Sequence, residues 1–94
     1  MKSILNEGRR CYLCGSTRDL EKHHVFGAAL RHKSEQYGLT VTLCHSCHNE
    51  PPNGVHYNAE AAVCLKAEAQ RKAMQTYGWT QKDFVNRFYK NYLD

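Results

Sequence analysis

Two Cys-x-x-Cys pairs constrain the fold of this chain more than any other feature of its sequence. Cys11 and Cys14 form the first pair, and Cys44 and Cys47 form the second. Each pair places two thiolates within one tight turn, and two such pairs typically close around a tetrahedral zinc ion. The spacing therefore predicts a structural Zn²⁺ that joins two segments far apart in the sequence.

A zinc site would supply stability that a chain of this size lacks. Its 94 residues form one small domain, and the hydrophobic fraction of 41% is low for a globular protein. Domains this small bury a limited core and often depend on a metal or on disulfides. The cysteine number is odd, and no apolar run resembles a signal peptide or a membrane span. We therefore expect a cytoplasmic protein with reduced thiols, and a disulfide framework is the minor alternative.

The N-terminal part of the chain, residues 8–57, carries patterns of both strands and helices. Strands are predicted over residues 20–26 and 39–43, the second because apolar and β-branched residues alternate there. A short helix is expected over residues 28–37. Another is expected to begin near Cys44 and to end before two consecutive prolines.

The C-terminal part, residues 58–93, is predicted to form two helices. Asn58 and Thr80 are suitable N-cap residues, and Asp83 stands at the capping-box position. Cys64 has no partner at metal spacing and is expected to pack within the first of these helices. Several residues recur at helical spacing and are expected to pack in the core: Ala62, Leu65, Ala69, Ala73, Phe84, Phe88 and Tyr92. The sequence thus predicts a single α+β domain over residues 1–94.

Histidines near the cysteine pairs are candidates for a second metal site. His23 and His24 fall on a predicted strand, where neighbouring side chains point to opposite faces. One can therefore bind a metal ion while the other acts as a general base, although ordinary surface histidines are the alternative. His48 directly follows Cys47, and His56 follows a turn that brings the chain back, so both are further candidate ligands.

These segments resemble the HNH endonuclease family, which has the ββα-metal fold, and small phage-encoded HNH proteins in particular. The resemblance covers roughly residues 9–58 and is loose in the helical tail. It is carried by the first cysteine pair, Glu-Lys-His-His-Val-Phe-Gly at 21–27, Leu-Cys-His-Ser-Cys-His-Asn at 43–49, Tyr-Gly-Leu at 37–39 and Gly-Val-His at 54–56. It implies a small ββα-metal core, cross-linked by the four-cysteine zinc site and followed by the two C-terminal helices.

The resemblance also implies a catalytic role for three histidines. His23 and His48 occupy positions of metal ligands, and His24 occupies the position of the general base that deprotonates the attacking water. The implied cofactors are the structural Zn²⁺ and a second divalent ion, Mg²⁺, Mn²⁺, Ni²⁺ or Zn²⁺, that activates a DNA phosphodiester. Leu39 stands where the family has an asparagine. The alternatives for that role are the backbone and other asparagines, namely Asn49, Asn53 and Asn58.

The expected substrate is DNA, bound with low sequence specificity. The net charge of +4 is compatible with a phosphate-bearing partner but is weak evidence alone. Contacts to the DNA backbone are expected from five basic residues: Lys22, Arg31, Lys33, Arg71 and Lys72. Phage DNA-processing or packaging proteins are further partners that the resemblance implies. The alternatives are a non-catalytic zinc module that binds nucleic acid or protein, and an assembly protein with a relict HNH site.

Overall fold

An antiparallel pair of strands lies at the centre of the fold, in a computed structural model that describes residues 2–93. Strand β1 spans Leu20–His24 and strand β2 spans Thr40–Cys44. Leu20 pairs with Cys44 and His24 pairs with Thr40. This register places the beginning of β1 beside the second cysteine pair and the end of β1 beside the connection between the strands.

In the described part of the chain, four α-helices lie around this sheet. A short 3₁₀ turn and helix α1, Arg31–Tyr37, lie between the strands, and helix α2, His45–Asn49, follows β2 directly. Helices α3, Ala59–Tyr77, and α4, Gln81–Phe88, complete the chain. The predicted α+β fold with two C-terminal helices is therefore confirmed. Within residues 2–93, no helix combines the length and the apolar character needed to cross a membrane.

The helix ends follow the local chemistry of the sequence. Gly38 ends α1 with a φ of 71°, in the left-handed conformation that glycine adopts readily. Asn58 caps α3 by accepting a hydrogen bond from the backbone N–H of Ala61. Thr80 and Asp83 form the predicted capping box at the start of α4. These contacts explain why both C-terminal helices begin where the sequence predicts them.

The core joins the N-terminal and C-terminal parts of the chain. Phe26, which directly follows the sheet, is 1% exposed. Its ring centroid lies 5.6 Å from that of Phe84, 4.7 Å from that of Phe88 and 5.6 Å from that of Tyr92. The predicted packing of the C-terminal aromatic residues in the core is confirmed. Strand β1 ends at His24 rather than at the predicted residue 26, because the Ser34 hydroxyl and not β2 bonds the backbone of Phe26.

One face of α3 packs against this core. Its buried residues include Leu65, Ala69 and Ala73, at the predicted helical spacing. Cys64 lies in α3 but is exposed, so the prediction that it packs there as a small apolar residue is wrong. Cys64 lies one position before Leu65, which rotates it by about 100° away from the buried face.

The N-terminal segment covers the open edge of β2. Ser3 Oγ donates to the carbonyl of Thr40, and Asn6 Oδ1 accepts from the N–H of Thr42 at 3.1 Å. Tyr12 N–H donates to the Thr42 carbonyl at 2.8 Å. Because an unpaired strand edge exposes backbone donors and acceptors, these contacts protect the two-stranded sheet.

Candidate metal centres

The four cysteines of the two pairs come together at one end of the hairpin. Their sulfur atoms all lie within 4.8 Å of one another, and Cys14 Sγ lies 3.6 Å from Cys44 Sγ. Two sulfurs bound tetrahedrally to one zinc ion at about 2.3 Å would lie about 3.8 Å apart. The donor set and the spacing therefore fit a structural Zn²⁺, as the sequence predicts.

Local backbone structure positions each cysteine pair. In the first pair, the N–H of Cys14 donates to Cys11 Sγ at 3.5 Å, and the N–H of Gly15 donates to the Cys11 carbonyl at 2.9 Å. Gly15 has a φ of 78°, which a residue with a side chain rarely adopts. In the second pair, Cys44 ends β2 and Cys47 lies in the first turn of α2. The second pair therefore lies at the direct junction between β2 and α2.

The surroundings of the cysteine cluster shift the pKa values of Cys11 and Cys47 in opposite directions. Burial opposes the ionisation of Cys11, but backbone N–H donors around its sulfur lower its pKa to about 6. Burial and the neighbouring thiols raise the pKa of Cys47. Because like charges so close repel each other, a bound cation is what would stabilise four thiolates together.

Three histidines form a second cluster. His23 on β1, His48 on α2 and His56 in the following loop place ligand nitrogens within 4.8 Å of one another. The Nε2 atoms of His48 and His56 are 3.0 Å apart. Two nitrogens at about 2.1 Å from one metal ion, at right angles, would lie about 3.0 Å apart. The structure therefore brings together the three predicted ligands of the second metal, in an arrangement that suits a divalent ion.

The turn before His56 folds back onto α2, as the sequence predicts. The N–H of Val55 donates to the Cys47 carbonyl at 2.8 Å, and the N–H of His56 donates to the His48 carbonyl at 3.3 Å. Gly54 is buried in this turn, where a Cβ atom would lie 2.7 Å from the backbone nitrogen of Glu50. Only glycine permits this close approach, which places His56 against His48.

The Glu21 carboxylate contacts His48 at Nδ1, whereas His48 Nε2 lies near His56. Oε1 of Glu21 lies 2.8 Å from His48 Nδ1 and accepts from Asn49 Nδ2 at 3.0 Å, and its Oε2 lies 2.8 Å from His45 Nδ1. These contacts, with His48 first, lower the pKa of Glu21. An ionised carboxylate holds the proton on His48 Nδ1, which leaves Nε2 with a lone pair facing the cluster.

Sequence reasoning did not select Glu21. The available signal was its position two residues before His23, which places both side chains on the same face of β1. Asn49, one of the possible replacements for the family asparagine, instead bonds this carboxylate. Asn49 therefore belongs to the hydrogen-bond network around His48.

Burial is the main reason that His23 is neutral. It lowers the pKa of His23 to about 4, and the neighbouring histidines His48 and His56 act in the same direction. The Lys66 ammonium on α3 adds a smaller effect of the same sign, and this residue too was missed in the sequence. A neutral imidazole at pH 7 retains the lone pair that a metal ligand needs.

His24 lies in different surroundings from its neighbour His23. Its Nε2 is 2.8 Å from Oε2 of Glu35 on α1, and the other oxygen of Glu35 is 2.7 Å from the Lys22 ammonium. Strand alternation predicts this separation of the two histidines. Leu39, at the position of the family asparagine, is fully buried, so no polar group reaches His24 from there.

The five basic residues predicted to bind DNA differ in whether their side chains are already paired within the protein. Arg31, Arg71 and Lys72 are exposed. Lys22 is paired with Glu35. Lys33 donates to the carbonyl of Arg87 at 2.6 Å and lies over the ring of Tyr89, so its ammonium ties α1 to the end of α4. Sequence reasoning missed this structural contact of Lys33 because the two partners lie far apart in the chain.

Both candidate metal centres draw residues from the β1–β2 hairpin and helix α2. Comparison of the chain with protein-family models, with curated proteins and with solved structures finds no match. The assignment to the HNH family consequently stays a prediction that rests on the motifs and on this geometry.

Proposed function

We propose that this protein is a metal-dependent endonuclease of the HNH type that hydrolyses phosphodiester bonds in DNA. The observation that carries the proposal is the junction between the two clusters. Cys47 belongs to the four-cysteine cluster, and the next residue, His48, belongs to the histidine cluster. A structural metal at the first cluster would therefore fix the backbone of a ligand at the second, which is the rigidity that a catalytic site requires.

The histidine cluster would hold one divalent ion, Mg²⁺, Mn²⁺, Ni²⁺ or Zn²⁺. When bound, such an ion supplies Lewis-acid stabilisation of charge on the scissile phosphate and on the leaving oxygen. His23 contributes a neutral ring from β1, and Glu21 keeps Nε2 of His48 available. The chain itself therefore provides the ligand geometry and the protonation states before substrate binds.

His24 is the proposed general base. It accepts a proton from a water molecule whose oxygen attacks the phosphorus, while the bond from phosphorus to the 3′ oxygen breaks. The leaving oxygen takes a proton from solvent, and the products carry a 5′ phosphate and a 3′ hydroxyl. The motif at residues 21–27 supports this role, as does the position of His24 on the lining of an open cleft at the end of β1.

DNA would approach along the exposed basic residues. His24 and Arg31 line an open cleft of about 450 Å³, so a guanidinium lies near the proposed base. Arg71 and Lys72 are further exposed basic residues, on α3. Contacts of this kind bind phosphates without reading bases, which fits nicking or cutting of low sequence specificity. A role in phage DNA processing or packaging, in the bacterial cytoplasm, follows from the motif resemblance.

Plasmid nicking tests the proposal. Wild-type protein is expected to convert supercoiled plasmid to the nicked form when Mn²⁺, Mg²⁺ or Ni²⁺ is added, and His24→Ala is expected to lose this activity at equal zinc content. Equal zinc and equal thermal unfolding in both proteins control for misfolding. Equal nicking by both would refute the role of His24. Complete inactivity of the zinc-loaded wild type with every metal would favour the non-catalytic zinc module.

A further inference from the structure

We infer that Glu35 is the positioning residue for His24, an inference that rests on the proposed nuclease function. The two side chains meet across the gap between α1 and β1, with Oε2 of Glu35 at 2.8 Å from Nε2 of His24. A carboxylate only accepts hydrogen bonds, so Nε2 carries the proton. Nδ1 is then the nitrogen with the lone pair, and it is the atom that would take a proton from water.

The second ring nitrogen of His24 is open to water. Within the described residues, Nδ1 has no hydrogen-bond partner, and no buried side-chain nitrogen or oxygen lacks a partner. Nδ1 therefore reaches solvent, although the side chain of His24 is only 15% exposed. The ring is thus largely enclosed and held at one nitrogen while the other nitrogen is accessible, which is the arrangement that a general base needs.

The helix that carries Glu35 is anchored next to this contact. Ser34 is fully buried, and its Oγ accepts from the N–H of Phe26 at 3.0 Å and donates to the Phe26 carbonyl at 2.7 Å. The N–H of Leu39 donates to the Ser34 carbonyl at 2.8 Å. Because Phe26 lies two residues after His24, Ser34 fixes the distance between Glu35 and the end of β1.

Lys22 holds the other oxygen of the carboxylate. Its ammonium lies 2.7 Å from Oε1 of Glu35 and on the same strand face as His24. An exposed ion pair of this kind contributes little to stability by itself. It does restrict the rotation of the Glu35 carboxylate, so that the oxygen facing His24 stays in place. Glu35 thus supplies, from α1, the polar contact that Leu39 cannot supply.

Two substitutions separate orientation from folding. Glu35→Ala removes the acceptor, whereas Glu35→Gln retains an amide oxygen that accepts from Nε2–H. Glu7→Ala is the matched control, because Glu7 is also a glutamate and is exposed, far in the sequence from His24. For each variant, we would measure kcat and KM of plasmid nicking, the affinity of the histidine cluster for Mn²⁺, and the His24 ring N–H signal by ¹H–¹⁵N NMR.

Glu35→Ala is expected to lower kcat about 100-fold, with KM and Mn²⁺ affinity unchanged, because the base is misplaced while substrate and metal still bind. Glu35→Gln is expected to retain most of the rate. The Nε2–H of His24 is expected to be protected from exchange, and visible, in the wild type and in Glu35→Gln but not in Glu35→Ala.

The NMR signal and the rates distinguish two kinds of failure. Absence of a protected His24 N–H in the wild type would overturn the inference about Glu35. An unchanged kcat in Glu35→Ala would also overturn it. The remaining outcome is a protected signal that is lost in Glu35→Ala, together with a wild-type protein that cleaves no DNA with any metal. That outcome would support the contact between Glu35 and His24 and would refute only the proposed nuclease function.

Discussion

Replacing Glu21 with glutamine tests how the histidine cluster is prepared for a metal ion. In the structure, the Glu21 carboxylate bonds His48 Nδ1 and His45 Nδ1, each at 2.8 Å, and also accepts from Asn49. A glutamine amide has one acceptor oxygen, and its NH₂ group cannot accept from an imidazole N–H. The amide therefore cannot accept from both histidines as the carboxylate does, and its neutral oxygen holds the Nδ1 proton of His48 less firmly than a charged one.

The expected magnitude follows from the role of such carboxylates behind metal-bound histidines. Their removal typically lowers metal affinity about 10- to 100-fold, which corresponds to about 1.4–2.8 kcal/mol. The assay is calorimetric titration of Mn²⁺ or Ni²⁺ into protein whose cysteine site is already loaded with zinc. Zinc content should stay at the wild-type level, because Glu21 touches none of the four cysteines.

Glu68→Gln is the matched control for this titration. Glu68 is exposed on α3, where its carboxylate accepts from the Tyr12 hydroxyl, and it lies outside both metal clusters. Wild-type affinity in Glu21→Gln would refute the argument that the carboxylate orients His48. Loss of zinc together with the second metal would show that Glu21 acts through the fold of α2 instead.

Three further predictions concern the zinc site, the core and the DNA contact. Cys44→Ser is expected to lose zinc and unfold, because structural zinc contributes about 10–16 kcal/mol in small domains. His48→Ala is expected to stay folded but inactive. A circular dichroism spectrum of Cys44→Ser that matches the folded wild type would contradict the first expectation. Phe26→Ala is expected to lower the free energy of unfolding by about 3–5 kcal/mol in urea; a loss below about 1 kcal/mol would argue against a core shared with the C-terminal helices. Replacing Arg71 and Lys72 with alanine is expected to reduce the salt dependence of DNA binding, as the slope of log K against log salt, by about 2; an unchanged slope would exclude α3 from the interface.

Local chemistry made much of the fold predictable. The Thr80–Asp83 capping box and the Asn58 cap involve partners three residues apart, so the sequence alone identifies them. The same holds for Gly38, whose left-handed conformation ends α1. The two cysteine pairs also made one long-range contact predictable, because binding of a shared metal ion requires the two distant segments to lie close together.

The supporting contacts of the site were not predictable in the same way. Glu35 reaches His24 from a helix eleven positions later, and Lys33 bonds the Arg87 carbonyl from more than fifty positions away. Polar side chains of these types occur on most surface helices, and no spacing rule marks one as a partner. Cys64 shows the related difficulty that a small shift around a helix decides between the core and solvent.

Counting the metal ions bound to each chain tests the central claim most directly. Native mass spectrometry of zinc-loaded protein, after Mn²⁺ or Ni²⁺ is added and the excess removed, resolves ions of different mass. We predict one zinc and one second ion per wild-type chain, and zinc alone in His48→Ala. A wild-type chain that holds a single zinc and recruits no second ion, whichever metal is added, would contradict the account of two adjacent centres.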